Sequence, residues 1–376
     1  MPEPADGLRR DLIDLARIAE PGDQRLGLAV ARFGAPRVMS VLRSGRPDDA
    51  SRSWRLPLEG LRARWQHACQ VEPDAQALQV GARIVARCDA EWPSQLADLG
   101  HREPYALWVI GAGSLRLLAL RSVSVIGARA CTPYGADVAR RWSGVLAEGG
   151  WAVVSGGANG IDAAAHRGAL DAGGVSIAMM PGGVDVMYPR NHDALFTRIA
   201  DSGLLVSEVP PGESVRRQRF LARNRLVAAL SRATVVVEAA LRSGTTATAR
   251  FANEINRPVL AVPGSVHSPA SAGCHRMIRD HEASIAVDVD DVLDVIDSHR
   301  QVPSETMPSA DRSRDALSSG QMRVLDSFPL RRTVSLDFVM SATGLDRREV
   351  MIALGLLEVG GWIRREPEGW KMTRQG

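Results

Sequence analysis

Residues 151–162 read WAVVSGGANGID, an apolar run that passes through a glycine-rich turn into the helix-like stretch 163–170. Glycine accepts backbone conformations that other residues avoid, so Gly156, Gly157 and Gly160 allow a tight turn between a strand and a helix. Amide groups at a helix N-terminus carry partial positive charge and bind anions. The turn therefore predicts a βα unit that offers a backbone site to a phosphate group.

Short apolar runs recur on both sides of this turn and alternate with helical stretches. Runs of this kind, each followed by a turn and a helix, are typical of a parallel sheet that helices cover on both faces. The predicted strands are 123–126, 151–154, 175–179, 204–206, 234–237, 259–262 and 284–287. Two earlier runs, 84–88 and 105–110, are predicted to extend the sheet. The fold class is α/β, with an extended Rossmann-like, doubly wound and mostly parallel sheet.

Smaller modules are predicted on either side of this sheet. Residues 1–75 read as a small helical, SAM-like domain, in which the turn at residues 21–23 is either a plain helix connection or a contact to the DNA backbone. The Rossmann-like domain is predicted over 80–298. Residues 299–317 are rich in Ser, Pro, Asp and Arg, the composition of a flexible linker.

Residues 318–376 predict a winged helix, because three helical stretches precede a hairpin. The third helix opens at Asp346 with Glu349 three residues on, the spacing of a capping box. Winged helices often place a helix in the DNA major groove. Since Arg347 and Arg348 are the only basic residues of that helix, DNA contact and protein contact both stay open.

Composition sets the broad class of protein. The chain has 376 residues, 45% hydrophobic and 24% charged, as in soluble globular proteins. It has neither the roughly 18 to 20 consecutive apolar residues of a membrane span nor the pattern of a signal peptide, so a cytoplasmic protein without membrane contact is expected. The four cysteines form no CxxC pair, which argues against a disulfide framework and a zinc site.

Several kinds of cofactor chemistry are disfavoured by the motifs. Lys371 is the one lysine among 46 basic residues, so the chain lacks a Walker A loop and a lysine placed for pyridoxal phosphate. The loop that follows strand 123–126 also lacks the Gly-x-Gly-x-x-Gly pattern of dinucleotide enzymes. No HExxH motif and no Gly-x-Ser-x-Gly elbow occur. The sequence therefore predicts no cofactor, no metal and no catalytic residue.

Arginines mark the ligand site instead. Arg129 follows the first strand of the Rossmann-like domain, and ligands of open α/β sheets bind at the carboxyl ends of the strands. A second group lies just before strand 234–237. Its candidate DNA-binding residues are Arg217, Arg219, Phe220, Arg223, Asn224 and Arg225.

This arginine-rich segment has the composition of a single-strand binder. Arg219 and Arg223 share a helical face, and like charges at that spacing repel unless an anion lies between them. A backbone phosphate would supply that anion. Phe220 is expected either to stack on a base or to anchor the helix in the core. After the next strand, Ser243, Gly244 and Thr245 open a helix and predict a second anion site, although a plain capped helix would look the same.

These motifs, in this order, resemble those of the DprA family, also called Smf, of DNA-processing proteins. The resemblance covers roughly residues 105–290. It rests on 125–129 with 132–135, 155–166, 185–189, 207–208, 223–225, 236–239, 243–244 and 261–265. The predicted helical start and winged-helix end also match the usual architecture of that family.

The resemblance implies a protein that binds and protects incoming single-stranded DNA and loads RecA recombinase onto it during natural transformation and recombination. It also implies a homodimer and no enzymatic activity. The positions that match the family's DNA pocket are Arg129, Arg217, Phe220, Arg223 and 243–245. The chain departs from the family's usual residues at Asn159, where arginine is common, and at Thr246 and Ala247.

The alternative is an enzyme, a nucleotide phosphoribohydrolase of the related lysine-decarboxylase-like family. Those enzymes carry Pro-Gly-Gly-x-Gly-Thr-x-x-Glu. Here Pro181-Gly182-Gly183 continues as residues 184–187, VDVM, without the Gly-Thr pair or the glutamate in register. The missing carboxylate disfavours the enzyme.

Overall fold

The structure is a computed structural model that describes residues 4–46, 54, 56–241, 243–297, 317–329, 332–367 and 369–373. It has two compact units, Met1–Gln301 and Val302–Gly376. The predicted linker 299–317 lies outside the described residues except for Leu317. The domain limits predicted at 75–80 and at 298 stay predictions.

The first unit is built on a nine-stranded sheet, and it confirms the predicted mostly parallel α/β fold. The strand order is β1-β2-β6-β5-β4-β3-β7-β8-β9. The strands are β1 (Arg83–Ala86), β2 (Ala106–Ile110), β3 (Ser122–Ile126), β4 (Ala152–Ser155), β5 (Ser176–Met179), β6 (Leu204–Ser207), β7 (Thr234–Val236), β8 (Val259–Ala261) and β9 (Ser284–Ile285). Strands β3 to β9 are parallel, whereas β2 pairs antiparallel with both β1 and β6.

Thirteen helices are described in this unit. They are α1 (Pro4–Ile18), α2 (Gln24–Phe33), α3 (Ala35–Ser44), α4 (Leu58–Ala68), α5 (Pro73–Gln79), α6 (Leu115–Leu120), α7 (Pro133–Glu148), α8 (Ile161–Asp171), α9 (Asp193–Ser202), α10 (Arg217–Leu230), α11 (Gly244–Glu254), α12 (Ala272–Arg279) and α13 (Val289–Ile296). Two 3-10 segments, Ser94–Arg102 and Arg190–His192, are also described.

Both faces of the sheet are buried, as the apolar runs predict. Along β4, Ala152 and Val154 pack into one core with α10 and α11, while Val153 packs into a second core with α7 and α8. Helices α1, α2 and α3 share a third cluster with Trp108 of β2 and Ala178 of β5. The helical start of the chain is therefore packed directly on the sheet.

Three helices and one hairpin are described in the second unit. The helices are α14 (Ser319–Asp326), α15 (Leu336–Thr343) and α16 (Arg347–Val359), and strands β10 (Ile363–Glu366) and β11 (Gly369–Met372) pair antiparallel. The predicted capping box is present, since Asp346 accepts from the Glu349 N–H and Glu349 accepts from the Asp346 N–H. Trp362 and Trp370 are buried in its core with Leu354.

A buried histidine makes the stability of the first unit sensitive to pH. His166 of α8 is fully buried, and its Nδ1 lies 2.7 Å from the Ser176 hydroxyl, which itself donates to the Val153 carbonyl. Burial lowers the pKa of His166 to about 3, and the charge of Arg223 adds to this effect. The folded chain thus keeps this imidazole neutral where an unfolded chain, with a histidine pKa of about 6.5, binds a proton.

We predict that the free energy of unfolding falls as the pH drops below about 6.5, with up to ~1.4 kcal/mol per pH unit from His166 alone. Urea unfolding at pH 7, 6 and 5 measures this slope. The H166N variant should show a shallower slope, whereas H267N, at an exposed histidine, should keep the full slope. Equal slopes for the wild type and H166N would contradict the assignment.

Candidate nucleic-acid interface

A crevice of about 630 Å³ opens at the carboxyl ends of the central strands. It lies where the strand order reverses, because β3 has β4 on one side and β7 on the other. Open α/β sheets bind their ligands at such a switch point. The lining residues come from the loops after β3, β4 and β7 and from α10 and α11, and they include Arg129, Gly156, Asp162, Phe220, Leu221, Arg223, Asn224, Ser243, Gly244 and Thr245.

A cation and an aromatic ring meet at this crevice. The Arg129 guanidinium carbon lies 5.0 Å from the centre of the Phe220 ring, within the range of a cation–π contact. Arg129 is exposed and Phe220 is half-buried. The two residues are 91 positions apart in the sequence, and the loop after β3 and the first turn of α10 bring them together. Their contact supplies both a positive charge and an aromatic face.

The glycine-rich turn after β4 holds the protein's own carboxylate. The Gly156 N–H donates to Asp162 Oδ2 at 3.2 Å, and the Ala158 N–H donates to the same oxygen at 3.3 Å. The sequence predicted that amide groups of this turn bind an external phosphate. For the Gly156 and Ala158 amide groups this prediction is wrong, because both donate to Asp162 of α8. Burial raises the pKa of Asp162, against the opposing effects of Arg223 and the backbone donors.

Arg223 lines the crevice but is almost entirely buried. Its Nη1 donates to the Gly156 carbonyl at 2.6 Å and to the Met179 carbonyl, so it ties α10 to the ends of β4 and β5. The side chain is buried, and burial lowers its pKa to about 10. Arg223 therefore fixes the glycine-rich turn in place.

The other two buried arginines of α10 also have partners within the protein. Arg219 contacts Glu20 at 3.2 Å and Glu213 at 3.1 Å. Arg225 donates to Glu208 at 2.6 Å and to the Arg102 carbonyl at 2.9 Å. The repulsion expected between Arg219 and Arg223 is thus relieved by protein carboxylates, where the sequence predicted a DNA phosphate.

Two glycines of the turn are required by close packing. Gly157 has φ +69°, and a Cβ there would lie 2.6 Å from the Phe196 ring. Gly160 has φ +82°, and a Cβ there would lie 2.2 Å from the Ala128 carbonyl oxygen. These positions need glycine so that the turn fits between the β3 loop and α9.

The start of α11 forms the opposite wall of the crevice. Thr245 Oγ1 donates to the Gly127 carbonyl at 3.0 Å, and Asn224 Nδ2 donates to the Gly244 carbonyl at 3.2 Å. Ser243 is the N-cap residue of α11 but makes no capping bond, and its buried hydroxyl has no partner among the described residues. The wall is thereby fixed to the loop after β3 and to α10.

Two further exposed residues lie near the first turn of α10. Arg217, predicted from the sequence as a DNA contact, is the first residue of α10 and is exposed. Tyr188 was not selected from the sequence, although its motif was noted, and its ring centre lies 5.5 Å from that of Phe220. The signal that could have found Tyr188 is an aromatic residue in the loop after β5, at the same sheet edge as Arg129.

Three other features bear on the class of protein. Within the described part of the chain, no group of three or more His, Cys, Asp and Glu side chains could hold a metal ion. No described helix has both the length and the apolar character needed to cross a bilayer. Glu238, an acidic residue close to the crevice, accepts from the Thr132 N–H at 2.9 Å and is buried at the start of α7.

The fold and the crevice define a Rossmann-like α/β protein with a crevice at its switch point that is lined by a cation and an aromatic ring. The chain belongs to the DNA recombination-mediator protein A family, whose model matches residues 83–297. It is 38% identical over 374 residues to a Mycobacterium tuberculosis protein that is named as a DNA processing protein, DprA. The match covers 96% of this chain and 94% of that protein. Protein Smf of Escherichia coli is 36% identical over 279 residues, 72% of each chain.

Two solved structures of DNA processing protein A also match this chain. The X-ray structure of DNA processing protein A from Streptococcus pneumoniae matches with a TM-score of 0.62 at 30% identity, over 76% of this chain and 97% of that one. The DNA processing protein A of Helicobacter pylori, whose structure is described for its mode of binding single-stranded DNA, matches with a TM-score of 0.52 at 29% identity. That match covers 57% of this chain and 95% of the other.

We predict that R223A lowers the free energy of unfolding by about 3 to 5 kcal/mol, because it removes the cation next to a buried carboxylate and leaves two buried carbonyls without their donor. R217A, on the same helix but exposed, should change it by less than about 0.5 kcal/mol. Urea unfolding of both variants measures the difference. Similar losses of unfolding free energy in R223A and R217A would contradict the structural role assigned to the buried Arg223.

Proposed function

We propose that this protein binds single-stranded DNA in the switch-point crevice. The observation that carries the proposal is the Arg129 guanidinium over the Phe220 ring at 5.0 Å. Single-strand binders combine backbone-tracking positive charge with aromatic faces that stack on bases. The H. pylori relative, whose structure is described for its mode of binding single-stranded DNA, supports the same ligand class.

We divide the predicted DNA-binding residues into two groups. Arg129, Arg217, Phe220, Ser243, Gly244 and Thr245 are proposed to touch DNA, because they are at least partly accessible at or beside the crevice. Gly156, Gly157, Gly160, Arg219, Arg223, Asn224 and Arg225 are proposed to position them, because their groups are packed or hydrogen-bonded within the protein.

The wider role is proposed from family membership. We propose a cytoplasmic homodimer that protects incoming single strands and promotes RecA loading in natural transformation and recombination. Its helical start is proposed to be a SAM-like domain and its C-terminal unit, with three helices and a hairpin, a winged helix. It is proposed to act without catalysis, since the glutamate of the related nucleotide hydrolases is missing after residues 181–183.

We predict that F220A and R129A each weaken the affinity for a dT oligonucleotide about tenfold, because each removes part of the contact that stacks a base. Fluorescence anisotropy on a labelled oligonucleotide measures the dissociation constant. R141A is the charge control, because Arg141 is 75% exposed on α7 and pairs with Asp137. Equal affinity for duplex and single strand, or no loss in F220A, would refute the site.

We predict that the affinity for single strands depends only weakly on salt concentration, although the chain is rich in arginine. With Arg129 and Arg217 as the main phosphate contacts, the slope of log affinity against log salt should lie between about −1 and −3. If Arg129 and all the arginines of 216–225 touched phosphates, the slope would reach about −4. A titration from 50 to 300 mM salt separates these cases, and a slope near −4 would overturn the division into contacting and positioning arginines.

The proposed RecA role needs a separate experiment. RecA filament growth is followed on single strands already coated with single-strand binding protein, with and without this protein. Acceleration by the wild type but not by F220A is expected. No acceleration, together with normal DNA affinity, would leave DNA binding intact and refute RecA loading.

A further inference from the structure

Tyr188 lies next to the aromatic residue of the crevice but comes from a different part of the fold. It follows β5, whereas Phe220 is on α10 and Arg129 follows β3. The Tyr188 and Phe220 rings meet edge to face, with an interplanar angle of 68° and 5.5 Å between centres. Three elements therefore bring a guanidinium and two rings into one continuous row.

The exposure of Tyr188 is unusual for an aromatic residue that serves only packing. Its side chain is 43% exposed, while Phe196 in the same region is fully buried. Phe220 contacts the Arg129 guanidinium as well as the Tyr188 ring. The Tyr188 ring is thus both supported by Phe220 and accessible to a ligand.

The loop that carries Tyr188 is held at both ends. Before Tyr188, Asp185 Oδ1 accepts from the Gly212 N–H at 2.9 Å, and after it the His192 N–H closes a local turn on the Pro189 carbonyl at 3.0 Å. Asn191 Nδ2 also donates to Asn159 Oδ1 at 3.1 Å, which ties the loop to the glycine-rich turn. A ring fixed in this way loses little conformational freedom when a ligand binds.

We infer that Tyr188 is a second stacking surface for single-stranded DNA. A base stacked on Tyr188 would neighbour the base held at Phe220 and Arg129, so the bound strand runs from the crevice towards the loop after β5. The exposed Arg190, two residues further along, provides a cation for the phosphate at that end. This inference rests on the proposed function and adds a direction to the bound strand.

The test compares variants that separate stacking from packing. Y188F keeps the ring and should bind a dT oligonucleotide within twofold of the wild type. Y188L keeps an apolar side chain against Phe220 but has no aromatic face, and it should weaken binding about tenfold, as should Y188A. If Y188L binds like the wild type while Y188A does not, Tyr188 only supports Phe220 and the inference is wrong.

Photochemical cross-linking gives a readout that does not depend on affinity. Oligonucleotides with one 5-iododeoxyuridine at successive positions are irradiated with the wild-type protein, and the attached residue is found by peptide mass spectrometry. Cross-links at Tyr188 and Phe220 from neighbouring positions are expected. Tyr134, which is 50% exposed on α7 and donates to the Pro263 carbonyl, is the matched control.

The outcomes distinguish the inference from the function on which it rests. If the wild type fails to bind single strands, the proposed function fails first. If the wild type binds, F220A is weakened and Tyr188 is neither cross-linked nor sensitive to Y188L, only the inference fails. Cross-linking to Tyr134 in place of Tyr188 would place the bound strand on the opposite side of the crevice. This result would also contradict the inference.

Discussion

The hydrogen bonds between the glycine-rich turn and Asp162 determine the shape of the whole site. A carboxylate buried in this position needs several donors, and the Gly156 and Ala158 amide groups provide two of them. Arg223 then approaches from α10 and binds the Gly156 carbonyl from the other side. Because one turn is held by α8 and α10 together, the first turn of α10, with Phe220, is fixed relative to the end of β4.

That constraint explains why the arginines of α10 differ so much in role. A helix that packs against the sheet through arginine side chains needs carboxylates and carbonyls to receive them, since an unpaired buried charge is costly. Glu20, Glu208 and Glu213 supply these partners from the turn after α1 and the segment that follows β6. The charge that remains for a ligand is therefore concentrated at Arg129 and at the start of α10.

The sheet could be predicted from the sequence, whereas much of the site could not. Apolar runs such as 151–154 and 175–179 reveal buried strands because both faces of each strand must be apolar. Helical spacing gave the shared face of Arg219 and Arg223, but it could not show that Glu20, about 200 residues away, lies against Arg219. Likewise the turn at 155–162 predicted a site for an external phosphate, whereas two of its amide groups donate to Asp162 within the motif itself.

A site built in this way keeps the three buried arginines of α10 away from the ligand. Long arginine side chains lose conformational entropy when they bind, and a rigid aromatic face loses much less. Here the buried arginines are already ordered by protein partners, and the accessible rings are held by Arg129 and by the loop after β5. Stacking against a preformed surface accepts any base, because each base has a π-face. Rigid rings with few cations beside them would suit the proposed binding of single strands, which needs no preference for base sequence.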